Sequence, residues 1–339
     1  MAKGDGLKAA IAQIKKVYGP ESIMKFSDAP AEVDAIPLGC LSFDIASGIG
    51  GVPRGRICEV FGPEGGGKTT LALHLVANVQ KAGGNVAYID VENALNIEYA
   101  AKLGINLDDV HLSQPDNGEE GLTIAETLIR SGEIDLVVID SVDALLPEEV
   151  LQGEMEDRHV SPLARLMSQA LRKLTAVVKR SKACLLFINQ LRSKIPTGKF
   201  SGPPGEVTSG GRALRYYASM RIEIKSIEQI KDNADYQIGK RTQCHFVKNK
   251  VAVPFKKAEF DLIFGEGISF DGDLLDEALE RHKIERSGAW FSWDGTKLGQ
   301  GRDAAIKWLK EHPDDAASLR AEIMEDERKK WKKERETEE

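Results

Sequence analysis

The sequence predicts an α/β protein in which short buried strands alternate with helices and form a mostly parallel sheet. An apolar strand that begins at residue 57 leads through a glycine-rich loop into an amphipathic helix over 71–80. Three later segments, 86–90, 136–140 and 184–188, are continuous in apolar residues, as parallel strands buried on both faces are. Helical patterns separate these strands, which is typical of βαβ units.

The loop after the first strand matches G-x-x-x-x-G-K-[ST], with Gly62, Gly67, Lys68 and Thr69 in register. Glycines let the backbone point its N–H groups at phosphate oxygens, and the N-terminus of the next helix adds partial positive charge. We expect Lys68 to bind the β and γ phosphates and Thr69 to bind Mg²⁺. A glycine-rich turn without a ligand is the weaker interpretation, because strand, loop and helix are all present.

Composition narrows the class of protein. The chain has 339 residues and a formal charge of −7, so contacts with nucleic acid must come from local basic segments. It has no apolar run of about 18 residues and no signal-type apolar segment at its start. We therefore expect a cytoplasmic protein without a membrane partner. The four cysteines are widely spaced, and we expect neither a disulfide nor a structural zinc.

Residues 1–33 are expected to form an N-terminal unit that precedes an α/β core at 34–268. Its apolar residues recur at helical spacing, at Leu7, Ile11, Ile14 and Val17. This stripe is equally consistent with packing on the protein's own core and with docking on a neighbouring subunit. Residues 269–328 contain three closely spaced aromatic residues and predict a small α+β domain. The charged tail at 329–339 is expected to fray.

Polar side chains follow three of the predicted strands, at the sheet edge where open α/β folds bind ligands. Asp140 ends one strand, and we favour a role in the Mg²⁺ shell over a merely soluble strand end. Glu92 lies two residues beyond another strand and is equally an activator of water or a surface glutamate. Gln190 follows the strand that ends at Ile188, where a glutamine is suited to sense a γ phosphate.

Two segments are rich in basic side chains. Residues 192–212 contain five glycines, three prolines, four basic residues and one aromatic residue, Phe200, and predict little regular structure. A segment from residue 157 leads into a helix with Arg165 and Arg172 on one side. Such segments suit a nucleic-acid strand, because cations follow phosphates and apolar side chains stack on bases. Solvated linkers have similar compositions, and composition alone favours the linker.

Two later strands, at 220–224 and 246–250, alternate polar and apolar residues, which is typical of additions at the edge of a sheet with one solvated face. Lys248 and Lys250 share one face of the second strand by the two-residue period. Their ammonium groups therefore point together, either at water or at an anion such as a phosphate on a neighbouring subunit.

A series of motifs in one order resembles the bacterial RecA recombinase family. The motifs are found at 62–70, 88–95, 113–116, 139–142, 187–190, 247–250, and 288–290 with 299–301. The resemblance extends from about residue 7 to residue 328. It implies a RecA-like P-loop ATPase core, a helical filament on single-stranded DNA, homology search, strand exchange and DNA-stimulated ATP hydrolysis, with ATP and Mg²⁺ as cofactors.

The implied partners are single-stranded DNA, double-stranded DNA, further copies of the chain, a single-strand-binding protein and loader proteins. Two alternatives remain. A ring helicase motor of the same superfamily fits less well, because no segment resembles a helicase accessory domain. A nucleotide-gated DNA-binding scaffold without turnover is disfavoured by the presence of Glu92.

The resemblance also implies roles for individual residues of the nucleotide site. Glu92 would activate water, Gln190 would couple the γ phosphate to a DNA loop, and Tyr99 would stack on adenine. Lys248 and Lys250 would reach the neighbouring subunit's ATP. The implied nucleotide-binding set also includes Gly62, Pro63, Glu64, Gly65, Gly66, Gly67, Lys68, Thr69, Thr70, Asn96, Asp140 and Gly265.

Two DNA-binding loops are implied, the first at about 153–165 and the second at about 191–211, together with a C-terminal domain that binds duplex DNA. The implied DNA-binding residues are Val160, Arg165, Arg172, Arg192, Lys194, Ile195, Lys199, Phe200, Gly210, Gly211, Arg212, Arg286 and Arg302.

The sequence departs from the family pattern in places. The second DNA loop is longer and richer in proline than usual. Gln229 and Gln243 replace a glycine and an arginine linked to repressor self-cleavage, which argues against co-protease activity. Asn93 and Asn96 replace the usual histidine and aspartate. Because an asparagine amide both accepts and donates, we expect hydrolysis of GTP or dGTP alongside ATP.

Overall fold

The computed structural model describes residues 5–25, 28, 33–153, 162–193 and 206–337. The chain forms two units, residues 1–33 and residues 34–339. In the first unit, the predicted helix is present as α1 (Asp5–Tyr18), and a short 3-10 turn follows at Pro20–Ser22. Leu7 and Val17 are exposed on this helix. Whether this stripe docks on another subunit stays a prediction.

The second unit begins with β1 (Ala35–Ile36), α2 (Leu41–Ser47) and β2 (Val52–Pro53). The predicted alternation of strands and helices follows, as β3 (Ile57–Gly62), α3 (Lys68–Lys81), β4 (Val86–Asp90), α4 (Ile97–Lys102), β5 (Val110–Ser113), α5 (Gly118–Ser131), β6 (Leu136–Asp140), α6 (Glu148–Leu151), α7 (Pro162–Ser181) and β7 (Cys184–Ser193). The core continues with β8 (Glu206–Thr208), α8 (Ala213–Tyr217), β9 (Met220–Lys231), β10 (Gln237–Asn249), β11 (Lys257–Ile263) and β12 (Gly267–Ile268).

These strands form one large sheet in the order β12-β11-β10-β9-β3-β7-β6-β4-β5. The strands from β9 through β3 to β5 are mutually parallel, and β10, β11 and β12 extend the sheet in antiparallel fashion. This arrangement confirms the predicted mostly parallel sheet. The carboxyl ends of β3, β4, β6 and β7 therefore meet at one edge, where the polar residues of the candidate site are concentrated.

Both faces of the sheet are buried. One face packs on α3 through Leu71, Leu75 and Val79, and the opposite face packs on α5 and α7 through residues such as Ile129 and Leu174. This double burial is the physical reason that the central strands are continuous in apolar residues rather than alternating. All four cysteines are buried in the core with free thiols.

The strand β7 runs five residues past Ile188, so that Gln190 lies within it rather than after its end. Its last residues pair antiparallel with β8, with Leu191 opposite Thr208 and Arg192 opposite Val207. The expectation of little regular structure over 192–212 was therefore wrong at both ends of that segment. Backbone pairing between the two ends, which are distant in sequence, overrides their weak local preferences.

The C-terminal region contains α9 (Phe270–Glu280), a three-stranded sheet of β13 (Ile284–Ser287), β14 (Trp290–Trp293) and β15 (Thr296–Gln300), and then α10 (Arg302–Glu311) and α11 (Pro313–Thr337). A separate apolar core joins these elements. The expected fraying from residue 329 was wrong, because α11 continues to Thr337. Burial of Trp331 and ion pairs one turn apart, such as Lys329 with Glu325, stabilise this last part.

Buried polar contacts attach this region to the α/β core. Asp273 on α9 accepts hydrogen bonds from the backbone N–H groups of Leu41 and Ser42 and thereby caps the N-terminus of α2. Within the core, just before α9 begins, His74 on α3 accepts the backbone N–H of Ile268 at 2.9 Å. Among the helices in the described part of the chain, none is both long and apolar enough to cross a membrane.

Candidate nucleotide and DNA site

The glycine-rich loop lies between the carboxyl end of β3 and the start of α3, as the motif predicts. A Cβ atom on Gly62 would lie 2.0 Å from the carbonyl oxygen of Ile224, and Gly67 has a φ of 101°, so both positions require glycine. The Lys68 ammonium donates to the carbonyls of Gly62 and Pro63 at 3.1 and 2.8 Å. Burial lowers the pKa of Lys68, while the charges of Asp140, Glu92 and Glu64 oppose this shift.

Asp140 lies at the end of β6, beside the first turn of α3. One of its carboxylate oxygens accepts hydrogen bonds from the hydroxyls of Thr69, at 2.9 Å, and Tyr88, at 2.7 Å. Burial raises the pKa of Asp140, and these two hydrogen bonds partly offset that effect. Hydroxyl and carboxylate oxygens are ligands that suit Mg²⁺. The structure therefore brings together the two residues predicted for the metal.

Glu92 follows β4 and is exposed, and its side chain contacts one residue of β7 and one in the turn after β6. Its Oε1 accepts hydrogen bonds from the Ser141 hydroxyl and from the Gln190 side-chain amide, the latter at 2.9 Å. The predicted water activator and the predicted phosphate sensor are thus in direct contact. Sequence reasoning did not single out Ser141, although its position next to Asp140 was a usable signal.

Tyr99 lies close to the start of α3, because its hydroxyl is 3.2 Å from the Thr70 hydroxyl. Asn96 is the N-cap of α4, and its side-chain oxygen accepts the backbone N–H of Tyr99 at 2.9 Å. This cap assigns the amide orientation, so the NH₂ group is the end that remains for another partner. Gly265 lies in the turn between β11 and β12, with a φ of 81° and open space around it.

Lys240 is a contact of the loop that the sequence motifs do not indicate. It extends from β10, and its ammonium donates to the carbonyl of Gly65. Burial lowers the pKa of Lys240. Two lysines from distant parts of the chain therefore hold the glycine-rich loop through its carbonyls. Only the pairing of the antiparallel strands places Lys240 at this position.

A buried polar network lies directly behind the site, on β3, β7 and β9. Glu59 is fully buried, forms an ion pair with Arg221, and accepts a 2.9 Å hydrogen bond from the side-chain amide of Asn189. The same Asn189 amide donates to the carbonyl of Ser209 at 3.1 Å. Because Asn189 directly precedes Gln190 and contacts Ser209, this network fixes the backbone of β7 beside Gln190 and connects it to the segment after β8.

Lys248 and Lys250 both donate to the carbonyl of Tyr216, at 3.1 and 2.9 Å, although Lys250 lies one residue beyond the end of β10. Burial, and then the charge of Lys250, lowers the pKa of Lys248 to about 8. The two ammonium groups therefore point the same way, as the two-residue period predicts. Tyr216 itself is exposed.

Two of the predicted DNA-binding arginines form ion pairs with carboxylates near the end of β6. Arg165 lies in the first turn of α7 and bonds Glu149 at 2.6 Å, and Arg192 bonds Asp143 through two nitrogens. The remaining described residues of this set lie on α7 and near α8: Arg172, Gly210, Gly211 and Arg212. Val160, Lys194, Ile195, Lys199 and Phe200 lie outside the described residues.

The two C-terminal arginines have different surroundings. The guanidinium of Arg286 lies over the ring of Phe291, 5.6 Å from its centroid. Arg302 is paired with Asp276 at 2.5 Å and with Asp261 at 2.9 Å, and Arg241 on β10 pairs with the same two carboxylates. Arg302 therefore links α10 to the core sheet, a role that its sequence position did not indicate.

Comparisons with known proteins agree with this geometry. A family model described as the RecA N-terminal domain matches residues 5–269, and one described as the RecA C-terminal domain matches residues 272–327. The protein named Protein RecA from Citrifermentans bemidjiense is 52% identical over 320 residues, which is 94% of each chain. Protein RecA of Geobacter metallireducens is 53% identical over 321 residues, again 94% of each chain.

Protein RecA of Streptomyces avermitilis is 52% identical over 320 residues, 94% of this chain and 84% of its own. Near-complete coverage of the chain at more than half identity, together with the two matching domain models, confirms the resemblance drawn from the sequence motifs. The chain belongs to the RecA family.

Proposed function

We propose a division of labour among the site residues of this RecA-family recombinase and DNA-dependent ATPase. One observation carries it: the side chains of Thr69, Asp140, Glu92 and Gln190 form adjacent hydrogen-bonded pairs at the carboxyl edge of the sheet, next to the glycine-rich loop. The loop binds the triphosphate of ATP through its N–H groups and Lys68. The other residues act on the metal, the attacking water and the γ phosphate.

Mg²⁺ fits the donors present at this edge. Among the described residues, no cluster of three or more His, Cys, Asp or Glu side chains forms a metal site by itself. Thr69 and Asp140 therefore offer too few ligands for a cage made of protein alone, which is the normal situation for Mg²⁺ held largely by phosphates and water. When bound, the ion neutralises charge on the phosphates. Thr69 and Asp140 hold it or its water shell.

Glu92 is the general base or the group that positions the attacking water. Its carboxylate is exposed and is held from two sides by Ser141 and Gln190. When the side-chain amide of Gln190 turns to a γ phosphate, its hydrogen bond to Glu92 is broken. We propose that this exchange frees Glu92 for water and carries the nucleotide state along β7 to the second DNA loop.

Tyr99 and Asn96 bind the base, and Lys248 and Lys250 act on the triphosphate of a neighbouring subunit in the filament. The position of the exposed Asn96 and the half-buried Tyr99 near Thr70 supports the first assignment. The parallel direction of the two ammonium groups supports the second. Family membership supports a cytoplasmic setting with a single-strand-binding protein and loader proteins as partners.

The test separates phosphate binding from turnover. Lys68→Ala should abolish nucleotide binding, whereas Glu92→Gln should keep ATP-dependent binding of single-stranded DNA and lose DNA-stimulated hydrolysis by roughly 100-fold or more. Glu98→Gln on α4 is a matched control, because Glu98 is also an exposed glutamate close to the site. Equal loss of DNA binding and hydrolysis in Glu92→Gln would remove Glu92 from the water-activating role.

A further inference from the structure

The carboxylate of Asp143 contacts both ends of the predicted second DNA loop. Arg192, on the outgoing end of β7, donates its Nε to Asp143 at 2.9 Å and a second nitrogen to the other carboxylate oxygen. Ser209, just after β8, donates its hydroxyl to the same carboxylate. These three residues form the Asp143 cluster, and none of them belongs to the phosphate loop.

Within the Asp143 cluster, Asp143 itself belongs to the turn that follows the nucleotide-site residues Asp140 and Ser141. Asp143 lies in a 3-10 turn at Val142–Ala144, three residues after Asp140 and two after Ser141. Ser141 contacts Glu92, and Glu92 contacts Gln190, two residues before Arg192 on β7. A shift of Gln190 is therefore transmitted to Arg192 through the two peptide units between them on β7. It is also transmitted to Asp143 through the contacts of Glu92 and Ser141.

The charge distribution gives Asp143 a specific task. Residues 158–205 contain ten lysines and arginines and no aspartate or glutamate. The carboxylate that neutralises Arg192 must therefore come from another segment. The side chain of Asp143 is only 15% exposed whereas that of Arg192 is 64% exposed, so the anion is fixed and the cation is accessible to solvent. The hydrogen bonds from Arg192 lower the pKa of Asp143.

We propose that Asp143 is a positioning residue that holds the two ends of the second DNA loop together and occupies Arg192 until a DNA phosphate replaces the carboxylate. This inference rests on the DNA-binding role proposed for the second loop. A carboxylate and a phosphate present similar pairs of oxygens to a guanidinium, so the two compete for one bidentate site. Asp143 thereby weakens DNA binding in the nucleotide-free protein and makes it depend on the nucleotide.

The experiment measures the affinity for a labelled oligothymidylate by fluorescence anisotropy. It uses the full chain, with and without a slowly hydrolysed ATP analogue, over a range of salt concentrations. Asp143→Ala should bind DNA roughly tenfold more tightly than the natural protein without nucleotide. Its log–log salt dependence should steepen by about 0.7, the value for one additional phosphate contact on a single strand. The ratio of affinities with and without nucleotide should fall.

Control variants separate this effect from a general change in charge. Glu148→Gln removes one carboxylate from the same region, where Glu148 contacts Gln152 rather than a predicted DNA-binding arginine, and should change nucleotide-free affinity much less. The double variant Asp143→Ala with Arg192→Met should bind DNA with the same affinity as Arg192→Met alone, because the gain in DNA affinity acts through Arg192. Asp143→Asn keeps an acceptor for Ser209 without the charge and should change affinity in the same direction.

Suppose that Arg192→Met weakens DNA binding but Asp143→Ala and Asp143→Asn bind DNA without nucleotide as tightly as the natural protein does, with the same salt dependence. That result would overturn the role of Asp143. If Arg192→Met leaves DNA binding unchanged in both nucleotide states, the DNA role proposed for Arg192 fails, and the inference fails with it. A gain in affinity that persists in the double variant would also overturn it, because the effect would then not pass through Arg192.

Discussion

Replacing Arg221 by methionine removes the partner of the most deeply buried carboxylate behind the nucleotide site. Glu59 has no exposed side-chain surface, and the side chain of Arg221 is 11% exposed. In Arg221→Met, the carboxylate keeps only the hydrogen bond from Asn189. Breaking a buried ion pair on one side costs about 3–5 kcal/mol, because an uncompensated charge remains. In the natural protein the Arg221 guanidinium lies over the ring of Phe61, 4.5 Å from its centroid. Methionine conserves most of the apolar volume next to this ring.

We therefore expect Arg221→Met to lower the free energy of unfolding by about 4 kcal/mol. The double variant Glu59→Gln with Arg221→Met should lose much less, since the glutamine carbonyl accepts from Asn189 without a charge. Arg215→Met, at an exposed arginine on α8, should change stability by about 0.5 kcal/mol or less.

Urea unfolding followed by far-ultraviolet circular dichroism is the suitable assay. Tryptophan fluorescence would report mainly on the C-terminal region, because the four tryptophans are at positions 290, 293, 308 and 331. The urea midpoint should fall in Arg221→Met with an unchanged m-value and recover in the double variant. A loss below about 1 kcal/mol, or additive effects of the two substitutions, would refute the reasoning that Arg221 compensates the charge of Glu59.

Three further predictions address other residues. Lys248→Ala should lower DNA-stimulated ATP hydrolysis by roughly 100-fold in filaments, and an equal loss at concentrations too low for assembly would contradict action on a neighbouring subunit. Burial lowers the pKa of His74 to about 4. The folded state therefore loses about 3 kcal/mol as the pH falls from 6.5 to 4, and His74→Gln should show a flatter acid-unfolding profile; an unchanged profile would exclude His74. Asn96→Asp should raise the preference for ATP over GTP roughly tenfold, measured by hydrolysis of the four nucleoside triphosphates, and an unchanged preference would mean that backbone groups recognise the base.

The sequence by itself determined the parts of this protein that depend on local pattern. The glycine-rich loop, the buried parallel strands and the polar residues at their ends are local in sequence, and residue spacing alone predicted that Thr69, Asp140, Glu92 and Gln190 would lie at one sheet edge. The structure brings these side chains into contact. The family resemblance then followed from motif order, and the comparisons confirm it.

Only the tertiary structure decided the contacts made across distant segments. Lys240 reaches the phosphate loop because β10 is added antiparallel to the sheet, and Arg192 meets Asp143 because β7 extends and pairs with β8. Similarly, Arg302 joins Asp261 and Asp276 between the core and the C-terminal helices. The spacing of residues along the sequence does not reveal the ion-pair partner of a charged side chain, since an ion pair depends on the position of the other charge in space. Strand register and helix packing fix that position only after the chain has folded.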